Sequence, residues 1–474
     1  MGTDVIAIFD LVRLDKQFLL FDKEYQVVYS RSYPGARTTD EDGDECEDLQ
    51  QLSSWVRNTF DEALRDPSFS IQAVNFAAYG ASFVHLDAAG SPVGPLYSYL
   101  KPYPEELLDR FYQQNGGRDA LALETASPPL GMLNSGLQLY WLKYRRPRQF
   151  AFVKRSLHLP QYISYLITGR RFSEITSIGC HTDLWNFREN AYHRWVTEEG
   201  LDRLFAPITP SNAYVRLSGG SRLVAGVGMH DSSAALVPYL LNEEKPFLLL
   251  STGTWSIAFN AFSKELLTLE DLQKDCLYYL NFLGKPVKAC RLFLGNELHH
   301  QVKKIAAHFH KEGDYHLQVL FDKELVKKLL RERDPRKQFI PETMDISGLL
   351  PRLRKRPVQL ELFASFEEAY HQLHLDLVAL QALSLQVVMG KTPVETLYIS
   401  GSFCDNPLFV KLVASRFPRL RVYTSVISRA SALGAAAVVH LHWNGDQPFP
   451  GTGKTKRHEP EEDLDMEGYR LQQA

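Results

Sequence analysis

The chain carries one α/β unit twice. In the first half, Val5–Phe9, Phe18–Phe21 and Tyr25–Ser30 read as strands, with Asp22-Lys23-Glu24 as a turn between the last two. An amphipathic helix follows over Leu49–Arg65. Then comes an apolar strand, Gln72-Ala-Val-Asn-Phe-Ala-Ala-Tyr79, that stops at Gly80. The second half repeats the plan. Phe247–Leu250, a polar turn and Trp255–Asn260 form a hairpin. Phe366–Met389 supplies a helix, and Glu395-Thr-Leu-Tyr-Ile-Ser400 stops at Gly401. A repeated strand–strand–helix–strand unit restricts the fold to two α/β domains of one design. The boundary is placed near Pro238–Lys245, giving domains over 1–240 and 241–443. From Asn444 the chain is polar and rich in Pro and Gly, so 444–474 is expected to be a disordered tail.

Composition narrows the function. With 474 residues, two or more cores are affordable. Hydrophobic residues at 45% and charged residues at 23% fit a globular protein. A net charge of −3 gives no basic field for nucleic acid. Cys46, Cys180, Cys276, Cys290 and Cys404 have no paired spacing and read as free thiols of a reducing, cytoplasmic compartment. The start, Met1-Gly-Thr-Asp-Val-Ile-Ala-Ile-Phe9, reads as a first strand and lacks the basic flank of a signal peptide. No uninterrupted apolar run reaches membrane-spanning length, so no membrane is expected as a partner.

Two segments carry chemistry. Val224-Ala-Gly-Val-Gly-Met-His-Asp231-Ser-Ser-Ala-Ala is a short strand, a glycine kink and a helix start, and it presents one carboxylate. Phe247-Leu-Leu-Leu-Ser-Thr252-Gly253-Thr254-Trp255 turns between two strands through hydroxyls and a glycine, which suits a phosphate. An acid for a hydroxyl and a cradle for a phosphate together suggest phosphoryl transfer. Each feature also has a plainer reading. Asp231 can be a helix N-cap, and 251–254 can be an ordinary hairpin turn. Gly226-Val-Gly228 lacks the third glycine of a dinucleotide fingerprint, and Gly451-Thr-Gly-Lys-Thr455 lacks the strand and first glycine of a P-loop. His230-Asp231 is without the further ligands of a metal hydrolase, and Asn296-Glu-Leu-His299-His300 is read as a solvated helix face.

The ordered set resembles the FGGY carbohydrate kinases of the actin-like, Hsp70-like and hexokinase-like ATPase superfamily, over roughly residues 4 to 442. Gly228-Met-His-Asp231-Ser-Ser-Ala-Ala is similar to the family's Gly-x-x-Asp-x-x-Ala-Ala segment. Its His-Asp form is similar to the rhamnulokinase and fuculokinase branch. Ser251-Thr-Gly253-Thr254-Trp255 resembles the second phosphate loop. Tyr398-Ile-Ser-Gly401-Ser402-Phe-Cys-Asp-Asn406 resembles the adenosine loop, and Ala432-Leu-Gly434-Ala-Ala the helix after it. Tyr79-Gly80-Ala81 with Leu86-Asp87-x-x-Gly90-x-Pro92 is similar to the sugar-side strand and hairpin, and Tyr165-Leu-Ile-Thr-Gly169 to a family helix end. The first phosphate loop departs: Asp10 is kept, but Val12 and Leu14 stand where glycine and a hydroxyl are usual, and Ser402 replaces a second glycine.

The resemblance implies two duplicated RNase H-like (actin-like ATPase) domains with an interdomain cleft. It implies an ATP-dependent carbohydrate kinase, a cytoplasmic transferase of carbohydrate metabolism that uses ATP and Mg²⁺. The sugar would be a ketose or deoxyketose such as L-rhamnulose or L-fuculose. Asp231 would be the general base, and Asp10 would hold the metal. Asp10, Arg13, Thr252, Gly253, Thr254, Gly401, Ser402 and Asn406 would bind nucleotide. Tyr79, Gly80, His181, Trp185, His230 and Asp231 would meet the sugar. The substrate is a small molecule, with no nucleic acid involved, and a homodimer is compatible with this reading. The altered first loop motivates an alternative: a catalytically weakened sugar or nucleotide sensor on the same fold.

Overall fold

A computed structural model of the chain describes residues 2–12, 16–80, 82–217, 223–425, 429–445, 447–451, 455–466 and 468–472. Arg13, Leu14 and Asp15 of the first loop, Ala81, and Gly453 and Lys454 of the late glycine-rich segment lie outside these residues. The chain divides into two units. One comprises Met1–Asn242, Tyr278–Pro286 and Arg429–Gly451; the other comprises Glu243–Leu277, Val287–Ser428 and Thr452–Ala474.

Unit 1 is built on a sheet whose core strands are β1 (Thr3–Leu11), β2 (Lys16–Phe21), β3 (Val27–Tyr33) and β4 (Phe69–Ala78), with β5 (Val224–Gly226) and β6 (Met229–His230) beyond β4. β1, β2 and β3 form an antiparallel meander, whereas β4 runs parallel to β1 and β5 and β6 run parallel to β4. β1 is buried along nearly all its length, as a strand covered on both faces must be. Helices α1 (Leu49–Arg65) and α2 (Leu159–Thr168) cover one face. Leu49, Leu52, Val56 and Phe60 of α1 and Tyr162 and Ile163 of α2 share a core with Phe9, Phe18 and Phe76. Asp48 caps α1 by accepting from the Gln51 N–H, and Gly169 ends α2 in the left-handed region at φ 67°. α3 (Asp231–Leu240) follows β6 directly.

Unit 2 repeats this topology. β7 (Phe247–Thr252) and β8 (Ser256–Asn260) form a hairpin. β8 pairs with β10 (Pro286–Leu292), which follows β9 (Cys276–Leu280), the strand at the sheet's edge. β11 (Thr396–Gly401) runs parallel to β7, and β12 (Arg421–Ser425) parallel to β11. The meander β7–β8–β10 with β11 and β12 beside β7 matches β1–β2–β3 with β4 and β5 beside β1. The fold is therefore mixed α/β and duplicated, as expected. Helices α4 (Leu294–His308), α5 (Phe366–Met389) and α6 (Pro407–Arg416) belong to unit 2. The chain then returns to unit 1 with α7 (Ala430–Val438). Among the described residues, α5 alone is long and apolar enough to cross a membrane by length and composition. In that apolar window, 78% of the residues are buried within the protein, as in a core helix. The five cysteines are free thiols.

Two expectations about organisation are corrected. The late polar segment is not disordered throughout. Thr455–His458 forms β13 and pairs antiparallel with β12, and Met466 and Tyr469 are buried. Its apolar anchors are too widely spaced to give a periodic signal. The second domain is also not one continuous stretch. Tyr278–Pro286 and Arg429–Gly451 follow the boundary in sequence but pack in unit 1.

Candidate active site

In unit 1, parallel strands deliver the chemistry to one edge of the sheet. Asp10 of β1 and Met229 of β6 both stand opposite Ala77 of β4. Leu11 and His230 both stand opposite Ala78. Asp10 and His230-Asp231 therefore lie at the carboxyl ends of strands that flank β4, about 10 Å apart at ordinary strand spacing. This is where open α/β sheets bind ligands.

Asp231 is the first residue of α3; the N-cap position belongs to His230. The cap reading of Asp231 is thus replaced by a different geometry. Its Oδ1 accepts from its neighbour Ser232, from the N–H at 2.5 Å and from Oγ at 3.2 Å. The carboxylate keeps 18% exposure, and His230 Nε2 lies 3.3 Å from Oδ1. Burial raises the Asp231 pKa, opposed by His230 and the Ser232 hydrogen bonds, while burial lowers that of His230 against the pull of Asp231. Around neutral pH this favours a neutral imidazole beside a carboxylate of enhanced basicity.

The His230 tautomer follows from its partners. Ser233 Oγ donates to the Leu280 carbonyl at 3.0 Å, so it accepts from His230 Nδ1 at 3.3 Å. Nε2 is then an acceptor. Two acceptors, Nε2 and Asp231 Oδ1, therefore lie 3.3 Å apart.

The residues expected to meet the sugar divide. Tyr79 continues β4, its N–H donating to Leu11 O at 3.1 Å, and its ring stands 5.9 Å from that of Tyr99. Gly80 backs onto His230: a Cβ there would lie 3.0 Å from the imidazole and 3.1 Å from Cys180 Sγ. His181 joins the cluster, its ring 6.2 Å from that of His230. Trp185 does not. It packs against Tyr192 at 5.8 Å within the unit 1 core, because the short hairpin of Trp185–Asn186 and Ala191–Tyr192 turns it inward. Sequence reasoning missed Tyr279, whose ring lies 5.5 Å from His230 and 5.9 Å from His181. It lies within a strand of the second half, and nothing in its local pattern points to the first.

Asp10 is 7% exposed, and its Oδ2 accepts from Ser431 Oγ at 2.8 Å. A carboxylate fixed at a strand end, with one oxygen already oriented, fits a role as a cation or hydrated-cation ligand.

In unit 2, Thr252 and Gly401 end β7 and β11 opposite each other. Thr252 Oγ1 donates to Ser400 O at 2.7 Å and accepts from the Phe403 N–H at 3.0 Å. That hydroxyl locks two loops together and is not a spare donor for phosphate. Gly401 is required: its φ is +91°, and a Cβ would lie 1.8 Å from Thr252 O. The Gly253 N–H bonds Trp255 O at 2.9 Å, whereas Thr254 is exposed. Asn406 caps α6 by accepting from the Phe409 N–H, and its Nδ2 lies 2.9 Å from His374 Nε2. Ser402 and Asn406 line a cavity of about 460 Å³ with Leu298, His299, Tyr370 and Phe403, apolar and aromatic enough to accept a flat base. Glu297 of α4 is buried, accepting from the Glu342 and Thr343 N–H groups, so the helix face near His299 is only partly solvated. A groove of about 720 Å³ beside α1 and α2 is lined by Gly90, Pro92, Tyr165 and Gly169 of the family-like motifs, but by none of the residues expected to bind ligand or carry the chemistry.

Two models of known families match the chain. The N-terminal domain of the FGGY family of carbohydrate kinases matches residues 6–212, and the carbohydrate kinase FGGY C-terminal domain matches residues 244–448. The fold is similar to a carbohydrate kinase from Novosphingobium aromaticivorans, at 24% identity and a TM-score of 0.79 over 97% of this chain and 95% of that one. It is similar to gluconate kinase from Lactobacillus acidophilus, at 13% identity and a TM-score of 0.80 over 97% and 94%. It is also similar to Plasmodium falciparum glycerol kinase with ADP, at 14% identity and a TM-score of 0.73 over 97% and 95%. The two family models span most of the chain in the expected order, and the chain belongs to the FGGY family of carbohydrate kinases, enzymes that transfer a phosphoryl group from ATP to a sugar.

Proposed function

We propose that this kinase phosphorylates a hydroxyl of a ketose or deoxyketose, such as L-rhamnulose or L-fuculose, with Asp231 as general base. One observation supports the reading: the Asp231 carboxylate, its basicity raised by burial, stays partly exposed with its Oδ1 3.3 Å from His230 Nε2. A sugar hydroxyl bound there would give its proton to Asp231 as the oxygen attacks phosphorus. His230 would hold that hydroxyl in line. The His-Asp pair supports the rhamnulokinase-like branch. The sugars named for structural neighbours differ among themselves, and identities of 13–14% carry the fold alone.

ATP would be held by unit 2. The base would enter the cavity lined by Tyr370, Phe403 and Ser402, and Thr254 would offer donors to the phosphates. Asp10 would hold Mg²⁺, directly or through water, and that ion would neutralise charge on the transferring phosphates. Ser431 keeps the Asp10 carboxylate oriented for this.

Asp231→Asn tests the base. Asn keeps the size and the contacts to Ser232 but removes the proton acceptor. We expect turnover to fall roughly 10²–10⁴-fold with sugar binding retained. ADP release is measured over a panel of ketoses and deoxyketoses, and sugar binding by calorimetry. Wild-type turnover by Asp231→Asn would end this assignment. Sugar and ATP binding without turnover in the natural protein would select the sensor reading.

A further inference from the structure

The segment Tyr278–Pro286 belongs in sequence to the second half, yet it packs in unit 1. Its attachment is specific. The Tyr278 N–H donates to Ala126 O at 3.2 Å, and the Leu280 N–H to Gly179 O at 3.0 Å. A Cβ on Gly179 would lie 2.3 Å from Leu280 Cδ1, so glycine is what admits the Leu280 side chain. Ser233 at the start of α3 donates to the Leu280 carbonyl, which closes the connection to His230. The tip turns through Gly284 at φ +70°.

Docking places the Tyr279 ring edge-on to both imidazoles, at interplanar angles of 61° to His230 and 66° to His181. Gly80 and Cys180 close the cluster behind His230. The result is a cluster of largely buried rings, with Tyr279 4%, His181 8% and His230 2% exposed, one side chain away from the Asp231 carboxylate. Ring faces of this kind match the C–H face of a neutral sugar, leaving polar edges for its hydroxyls.

We propose that Tyr279 is a sugar-specificity residue: with His181 and His230 it forms the wall against which the acceptor sugar packs, and the turn 278–286 supplies it to a site otherwise built from the first half of the chain. The assignment rests on the sugar-kinase reading of Asp231 given above. It selects a neutral sugar with an apolar face over an anionic sugar acid or a small polyol such as glycerol.

The test compares Tyr279→Ala and Tyr279→Phe with wild type and Asp231→Asn in the full-length chain. Sugar binding is measured by calorimetry, and KM and kcat for sugar and for ATP by ADP release, with L-rhamnulose, L-fuculose, D-xylulose, D-gluconate and glycerol as probes. For Tyr279→Ala we expect the KM and Kd of the preferred ketose to rise about tenfold, the loss of one aromatic contact, with the KM for ATP unchanged. Tyr279→Phe, which keeps the ring, should bind within about twofold to threefold of wild type. Preference over glycerol should narrow in Tyr279→Ala alone, a change that general destabilisation would not produce. A circular-dichroism melt confirms that each variant is folded; should Tyr279→Ala not fold, Tyr279→Leu carries the same comparison. Unchanged sugar affinity and ranking in a folded Ala or Leu variant would overturn the proposal, as would a wild-type preference for gluconate or glycerol. The two readings fail separately. If Asp231→Asn turns over normally while Tyr279→Ala loses sugar affinity, the base assignment falls and the wall stands. If no probe sugar binds wild type, both fall.

Discussion

At the scale of single residues, the sharpest departure from ordinary packing is Asp183. It is 1% exposed and sits at φ 61°, a left-handed conformation that Asp and Asn tolerate. Oδ1 accepts from Thr125 Oγ1 at 3.2 Å, but Oδ2 has no hydrogen-bond partner among the described residues. Burial therefore raises its pKa well above the usual carboxylate range, opposed only by the Thr125 hydrogen bond. The sign follows from linkage. The folded state holds this proton more tightly than the unfolded chain, so the contribution is intact below the unfolded pKa near ~4 and is lost as pH rises through the folded pKa. Asp183→Asn keeps the backbone preference and the Thr125 contact, and it removes the charge. We expect it to raise stability near neutral pH by about 1–3 kcal/mol and to flatten the pH dependence above pH ~4. Thermal melts from pH 4 to 8 check this; a lower melting temperature at pH 7 would mean that the carboxylate is ionised and paired in the folded protein.

At the scale of elements, α3 is held in place by α7. Gly434 of α7 approaches α3 so closely that a Cβ would lie 1.8 Å from the Ala234 carbonyl, a backbone atom that cannot step aside. α3 begins with Asp231, so this contact links a small-residue helix to the position of the proposed base. Gly434→Val should push the two helices apart. We expect a loss of about 1–3 kcal/mol, roughly 1–5 °C in melting temperature for a protein of this size, together with a fall in kcat larger than any change in the KM for ATP. A Val variant with native melting temperature and turnover would show that the helices repack freely. Much at this scale was legible. The bounds of α1 and α5 follow from their patterns of apolar residues and from their ends: Asp48 before α1, Ser365 before α5 and Gly390 after it. The ends of β4 and β11 follow from apolar runs that stop at Gly80, two residues past β4, and at Gly401, the last residue of β11. Tyr279 was not legible, because strand periodicity in β9 says nothing about which unit its tip will join. Thr252 looked like a phosphate donor because a hydroxyl beside glycine has two uses, and only the positions of Ser400 and Phe403 show that it serves the loop. Trp185 was expected at the sugar together with His181 of the same segment, whereas a two-residue strand turns it into the core.

At the scale of the whole molecule, the duplication could be read from the sequence and the threading could not. Periodicity reports each strand and helix, but the return of a later segment to an earlier unit depends on contacts far apart in the chain. Unit 1 is completed by such returns. Asn75 Nδ2 donates to Ala435 O at 2.7 Å, Ser431 holds Asp10, and the Tyr25 hydroxyl lies 2.7 Å from His440 Nδ1. Asn75 also accepts from the Gly228 N–H at 3.2 Å, so the same side chain supports the strand that leads to His230. A fragment ending at Asn242 would keep the sheet and α1 to α3 but lose α7, Leu280 and Tyr279. Apolar surface on α3 and β4 would be left in water, and buried Asn75 would lose a partner, which alone costs about 1–3 kcal/mol. Removing α7 also strips the cover from Ala234 at the Gly434 contact. We therefore expect residues 1–242, expressed alone, to bind a hydrophobic dye and to show no cooperative thermal transition. The full chain should melt cooperatively under the same conditions. Adding residues 429–451 through a flexible linker should restore part of the transition, because it returns α7 to α3 and Ser431 to Asp10. A fragment 1–242 that melts as sharply as the full chain would mean that the first half folds independently and that the late helix adds affinity without completing the core.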